Sequence, residues 1–277
     1  MTLRYVVADV FTDTALTGNQ LAVFTDGREV DDETMQNLAR EMNFSETVFV
    51  LPPEEGGHAR IRIFTPSREL PFAGHPVLGS AFVLAAPLQL GEIRLETASG
   101  IVAVTLEREG ARILFGWMQQ PIPIFEPFER AEELQEVLGV RSSLPVEVYH
   151  LGLEHVFLEF ESEEQVAGLA PDFGALALFH AGINCFAGSG TRWKTRMFAP
   201  ADGAPEDPAT GSAAGPLAIH LARHGRIAFG QDIEISQGKE LRRPSKLYAR
   251  VEGSADRIER VEVGGSAVTV ARGEFRL

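Results

Sequence analysis

Apolar and polar residues alternate along short runs, and the runs fall into two similar sets. Alternation at 5–10 and 21–24 predicts a pair of strands joined through the turn-like Thr17-Gly18-Asn19-Gln20. Asp31 or Asp32 is placed to cap a helix through Met42, with Met35, Leu38, Ala39 and Met42 as its apolar stripe. Strand patterns follow at 47–51, 61–64, 93–97, 101–106 and 111–115, with an Ala/Leu-rich helical run at 77–86. Pro121-Ile122-Pro123 resists both helix and central strand and reads as a linker. Beyond it the pattern predicts helices at 130–138, 163–169, 173–181 and after Ser212. The first of these stops at Gly139 and the last at Gly225. Strands are expected at 146–149, 155–160, 183–187, 193–198, 232–236, 247–251, 257–263 and 267–275. Many strands with few helices per half predict an α+β fold, each half a curled sheet around a helix.

The two sets share more than periodicity. Glu69-Leu70-Pro71-Phe72-Ala73-Gly74-His75-Pro76 and Glu206-Asp207-Pro208-Ala209-Thr210-Gly211-Ser212 keep Glu, Pro and Gly in register at an offset of 137 (206 minus 69), with His75 in the place of Ser212. Just upstream, Arg62-Ile63-Phe64-Thr65-Pro66 and Arg196-Met197-Phe198-Ala199-Pro200 share Arg-x-Phe-x-Pro at an offset of 134 (196 minus 62), which places a three-residue insertion after Pro200. The chain therefore reads as an internal duplication: a strand, a loop carrying an acid, and a helix headed by glycine, once per half.

At each helix start the first turn has unpaired N–H groups and the positive end of the helix dipole. A glycine lets a ligand approach the backbone, so Gly74 and Gly211, with His75 and Ser212, could hold an anionic group without Lys or Arg. The plain alternative is that Thr210 or Ser212 only caps the helix. Glu46 stands at a strand entrance among Phe44, Val48 and Phe49. It is either an ordinary exposed acid or a partly desolvated carboxyl suited to general acid/base work.

Composition narrows the class. With 277 residues and 44% hydrophobic content the chain can bury one large core or two medium ones, and the repeat favours two halves. No apolar run reaches the roughly 20 residues that span a bilayer, and the N-terminus lacks a signal-peptide layout, so a cytoplasmic location and no membrane partner are expected. The net charge of −14 with scattered Lys and Arg argues against a nucleic-acid partner. Cys185, the single cysteine, excludes an internal disulfide, a thiolate zinc cage and any two-thiol mechanism. His220 and His224 lie one helical turn apart, but the sequence gives no third metal ligand beside them. His150 and His155 read as structural, and Ser212 lacks the Gly-x-Ser-x-Gly setting of a hydrolase nucleophile.

Together with Asp9-Val10-Phe11, Gly18-Asn19, Asn43-Phe44-Ser45-Glu46-Thr47-Val48-Phe49, Gln237-Gly238 and Val263-Gly264-Gly265, these motifs resemble the PhzF-like phenazine biosynthesis family over nearly the whole chain. The resemblance implies a diaminopimelate epimerase-like fold of two pseudo-symmetric domains, each a barrel-like sheet around a central helix, with the active site in the cleft between them. The expected domains are 1–118, completed by the C-terminal strand 267–277, and 119–266. It also implies a homodimer with no cofactor and no metal, and an isomerase activity, best known on trans-2,3-dihydro-3-hydroxyanthranilate. By position, Glu46 matches the family's acid/base carboxylate, and His75, Asp207, Ser212, Gly74 and Gly211 match its substrate-binding residues. Where related epimerases carry catalytic cysteines this chain has Ala73 and Thr210. The expected function is then proton transfer between carbons of a small carboxylate-bearing metabolite. The alternatives are a non-catalytic binding or regulatory protein, or a hydrolase using Ser212.

Overall fold

A computed structural model describes residues 1–277, which divide into two compact units, Met1–Gln119 with Gly264–Leu277, and Gln120–Val263. In the first unit the elements run β1 (Thr2–Val10), β2 (Asn19–Phe24), α1 (Asp32–Met42), β3 (Glu46–Leu51), β4 (Ala59–Phe64), β5 (Glu69–Leu70), α2 (Gly74–Leu88), β6 (Glu92–Thr97), β7 (Gly100–Glu109) and β8 (Arg112–Gln120). The C-terminal strand Ala267–Arg276 pairs antiparallel with β1 along its whole length, with a bulge at Val7/Ala8. From β1 the sheet continues antiparallel to β2, parallel to β3, antiparallel to β4, parallel to β6 and antiparallel to β7.

α2 is apolar on every side, which is the pattern of a helix with no solvent face. It packs against β1, β2, β3, β6, β7 and the C-terminal strand, so the sheet curls around it. The approach is close at Gly79, where a Cβ would lie 2.6 Å from Leu21 Cδ2 and 2.7 Å from Val10 Cγ2. α1 is amphipathic instead. The Asp31 side chain accepts from Thr34 N at 2.7 Å to cap it, and its stripe of Met35, Leu38 and Ala39 joins Leu3, Phe24, Phe49 and Phe64 in a core on the other side of the sheet.

The second unit repeats the plan with β9 (Ile124–Pro127), α3 (Ala131–Leu138), β10 (Glu147–Leu151), β11 (Leu153–Glu159), α4 (Glu163–Ala167), α5 (Phe173–Ala177), β12 (Gly182–Ser189), β13 (Arg192–Ala199), β14 (Ala204–Asp207), α6 (Gly211–Arg223), β15 (Ile233–Gln237), β16 (Ser245–Gly253) and β17 (Ile258–Gly265). From β10 the pairings are antiparallel to β11, parallel to β12, antiparallel to β13, parallel to β15 and antiparallel to β16, the same alternation as in the first unit. The expected duplication is therefore present in the strand pairing itself. α6, buried from Gly211 to Ala222, takes the place of α2. α4 and α5 replace α1 and cover a core of Leu134, Val156, Leu158, Val166, Leu176, Ile183 and Phe198.

The predicted elements match the observed ones apart from their ends, with three additions. The short strands β5, β9 and β14 escaped the pattern because two to four residues are too few for alternation to show. β5 and β14 carry the acids of the repeated loops, and the structure explains why both halves keep them. Glu69 accepts two hydrogen bonds of 2.7 Å from Arg62, and Glu206 accepts two of 2.8 Å from Arg196. Each guanidinium also lies over the phenylalanine two residues on, 5.1 Å from Phe64 and 5.0 Å from Phe198. The insertion after Pro200 forms a 3-10 turn, Pro200–Asp202, closed by Gly203.

Candidate active site

The strand registers align the two halves residue by residue. Thr47 pairs with Phe64 and Ile183 with Phe198, so Thr47 corresponds to Ile183 and Glu46 to Gly182. Leu21 pairs with Glu46 and His155 with Gly182, so Leu21 corresponds to His155. Ile63 pairs with Leu70 and Met197 with Asp207, so Leu70 corresponds to Asp207. The two halves thus share a scaffold and carry different polar groups on it.

In the first unit Glu46 opens β3, and its side chain is 15% exposed. Its Oε2 lies 3.3 Å from Nδ1 of His75, the second residue of α2. Asn19 Nδ2, at the start of β2, lies 3.4 Å from the same ring nitrogen. Burial pushes the His75 imidazole down to about 3, against a backbone hydrogen bond with Gln20 that favours the charged form, so the ring is neutral. Its other nitrogen, Nε2, is buried with no protein partner. α2 begins without a side-chain cap, its N-cap being Ala73, so the first-turn amides at Gly74 and His75 are not taken by a cap.

In the second unit α6 also begins without a side-chain cap bond, which removes the plain capping alternative for Thr210. The Thr210 hydroxyl instead donates to Asp207 Oδ2 at 2.6 Å. Gln237 secures that corner, donating from Nε2 to the Asp207 carbonyl at 2.8 Å and to Thr210 Oγ1 at 2.9 Å, while its Oε1 accepts from Thr210 N at 3.2 Å. Ser212, the second residue of α6, has its Oγ 3.0 Å from Nε2 of the buried His155. So the structure groups Glu46, Gly74 and His75 within one unit, and Asp207, Gly211 and Ser212 within the other.

His155, which the sequence presents as structural, contacts Ser212, and nothing in the sequence signals it. The two are 57 residues apart and share no motif, and only the parallel pairing of β11 with β12 brings the histidine beneath the start of α6. Asn184 is the third member of this group, with Nδ2 3.5 Å from His155 Nδ1.

A second polar cluster lies at the far end of α6. Glu147 Oε2 accepts from Arg223 at 2.7 Å and Tyr149 at 2.9 Å, with His220 Nδ1 at 3.1 Å and His224 Nε2 at 3.2 Å. Glu147 is thus the third potential ligand beside His220 and His224 that the sequence did not disclose. Arg223 already brings a positive charge to that oxygen, and to Tyr149 at 3.0 Å, where a metal ion would have to sit. Burial raises the Glu147 carboxyl, but the bonds from His220, Arg223, His224 and Tyr149 outweigh it and hold the group well below the usual carboxylate range. The arrangement is that of a buried carboxylate satisfied by protein donors. Cys185 is buried, and its thiol is pushed up by burial, so it is no nucleophile.

No helix of the protein is long and apolar enough to cross a membrane. The family model described as phenazine biosynthesis-like protein matches residues 8–273. The trans-2,3-dihydro-3-hydroxyanthranilate isomerase of Pseudomonas fluorescens is 52% identical over 276 residues, 99% of each chain. A solved structure described as a predicted epimerase from Pseudomonas aeruginosa is 34% identical over 99% of each chain, with a TM-score of 0.82. A phenazine biosynthesis protein of the PhzF family from Bacillus anthracis superposes over 100% of each chain with a TM-score of 0.85 at 24% identity, which bears on the fold alone. The fold is therefore the diaminopimelate epimerase-like α+β fold implied by the motifs. By class and by sequence, this chain is an isomerase belonging to the phenazine biosynthesis-like protein family.

Proposed function

We propose that the protein is a cofactor-independent isomerase that moves a proton between carbons of a small carboxylate-bearing metabolite, with Glu46 as the single acid/base. What supports this most is the setting of Glu46. Its carboxylate stands beside a histidine that burial keeps neutral, so no imidazolium is there to quench its basicity. A base that takes a weakly acidic C–H proton and returns it to another carbon as the conjugate acid needs only one carboxyl, provided water is kept from the exchange.

The two-base chemistry of racemases needs a second acid/base on the opposite face, and the second half offers none at the matching position. Gly182 stands where Glu46 stands in the first half, and Ala73 and Thr210 stand where a thiol pair would be. In this reading His75 contacts a polar group of the substrate through Nε2, which no protein group occupies. Gly74, Gly211 and Ser212 supply donors to its carboxylate or to charge that develops during the reaction, and Asp207 orients an amine or hydroxyl. A donor of this kind is typically worth about 3 kcal/mol in rate. The Pseudomonas fluorescens relative makes trans-2,3-dihydro-3-hydroxyanthranilate the first substrate to try.

The test is Glu46→Gln, which keeps the shape and removes the base. Turnover of that compound by the purified wild type and its loss, by about a thousandfold or more, in the variant would agree with the assignment. Equal rates in the two proteins would end it. We also expect a homodimer located in the cytoplasm.

A further inference from the structure

We infer that His155 is a positioning residue for Ser212: its Nε2–H donates to the serine oxygen, which commits the hydroxyl hydrogen of Ser212 to an anionic oxygen of the substrate. The inference rests on the proposed role of Ser212 in binding and adds how that role is set.

The tautomer follows from the neighbours. Asn184 Nδ2 donates to the Gly182 carbonyl at 3.0 Å and the Val156 carbonyl at 3.3 Å, and these two acceptors fix which end of the amide is nitrogen. That NH2 group, not the amide oxygen, faces His155 Nδ1 at 3.5 Å. One of its two hydrogens goes to the Gly182 carbonyl and the other is shared between the Val156 carbonyl and Nδ1, which therefore keeps its lone pair, so the ring proton resides on Nε2. Burial holds the imidazole near 3, which keeps the ring neutral with a single N–H. The Nε2–H is aimed at Ser212 Oγ, 3.0 Å away. Ser212 then accepts through one lone pair and retains one hydrogen to give.

This arrangement is the reverse of a hydrolytic pair. A histidine that activates a serine must present a bare Nε2 to the hydroxyl and hold its proton on Nδ1 against an acceptor. His155 has the opposite tautomer, so Ser212 is a hydrogen-bond donor to ligand and not a nucleophile. The ring packs directly against Gly182. A Cβ there would lie 3.2 Å from His155 Nδ1 and 2.6 Å from Met197 Cε. The position that carries the base in the first half is emptied of side chain in the second, where the imidazole stands over it.

The test uses the full-length chain in two arms. Nitrogen-15 labelling of histidine, with His155 assigned by its absence in His155→Gln, should show Nε2 protonated and Nδ1 bare from about pH 5 to 8, where a free imidazole would titrate. An Nδ1–H tautomer, or protonation within that range, would overturn the inference whether or not a substrate is in hand. In the second arm, trans-2,3-dihydro-3-hydroxyanthranilate is the probe. His155→Gln, which retains an N–H donor, should keep kcat/KM within about threefold, and His155→Leu should lose about tenfold. That loss should vanish in a Ser212→Ala background. A leucine variant no worse than the glutamine variant, or an undiminished loss without Ser212, would contradict the role. A wild type that does not turn the compound over would contradict the proposed function instead, and the tautomer would still decide the inference.

Discussion

Glu46 Oε2 lies 3.3 Å from Nδ1 of His75, and the histidine is neutral because burial, not the carboxylate, sets its protonation. A charged imidazole at that distance would pair with Glu46 and lower its basicity. A neutral one, with its single N–H, leaves the carboxylate its basicity. His75→Leu is therefore expected to lower kcat by about a hundredfold through the lost polar contact to substrate while leaving Glu46 competent. Steady-state kinetics together with solvent exchange would separate the two effects.

Two buried histidines make stability fall in acid. His75 and His155 are each held near 3 in the folded chain against an ordinary 6.5. Between those values the unfolded chain takes up protons that the folded chain refuses. Stability is thus fully present above about pH 6.5 and declines as pH falls towards 3, by up to about 1.4 kcal/mol per pH unit for each ring. Urea midpoints measured from about pH 7 to 4.5 should fall accordingly, and His155→Gln should flatten the slope by about the share of one ring.

The repeated Arg–Glu pairs have the same geometry and different surroundings. Arg196 and Glu206 are each 7% exposed, whereas Arg62 and Glu69 are 24% and 40% exposed. Arg196 also donates to the carbonyls of Ala167 and Leu169, tying α4 to β13. Arg196→Ala should cost about 3–5 kcal/mol because it strands a buried carboxylate, and Arg62→Ala about 1 kcal/mol or less. Chemical denaturation of the two variants checks the contrast.

Gly182→Ala should destabilise by about 1–3 kcal/mol, since the added methyl meets Met197 and the His155 ring. Because that ring supports Ser212, the same change should lower kcat/KM. Gly139→Ala, at a helix end where an added Cβ meets nothing within 4 Å, carries only the strain of its left-handed backbone (φ 64°) and should leave kcat/KM unchanged.

Much of this fold could be read from the chain because the two copies repeat the residues that shape it. Arg62-x-Phe64 and Arg196-x-Phe198 recur since each guanidinium clamps a loop acid and covers a ring, a local arrangement that needs fixed spacing. Gly74 and Gly211 recur since each starts a buried helix. What could not be read was the difference between the halves. Glu46 and Gly182, or Leu21 and His155, become equivalent only through strand register, and insertions between the motifs hide that register in the sequence. The Glu147 cluster stayed hidden for a related reason, because β10 meets the last turn of α6 only in the folded unit, more than 70 residues away. Glu46 itself was legible as a carboxyl in apolar company, although its histidine neighbour was not.

Whether Glu46 carries the proton is decided by isomerisation of trans-2,3-dihydro-3-hydroxyanthranilate in D₂O, followed by mass spectrometry for wild type and Glu46→Gln. The wild type should form product, with deuterium entering in proportion to the exchange of the Glu46 proton with solvent, and the variant should show neither product nor exchange. Product formed by Glu46→Gln at the wild-type rate, with the same deuterium content, would contradict that role for Glu46.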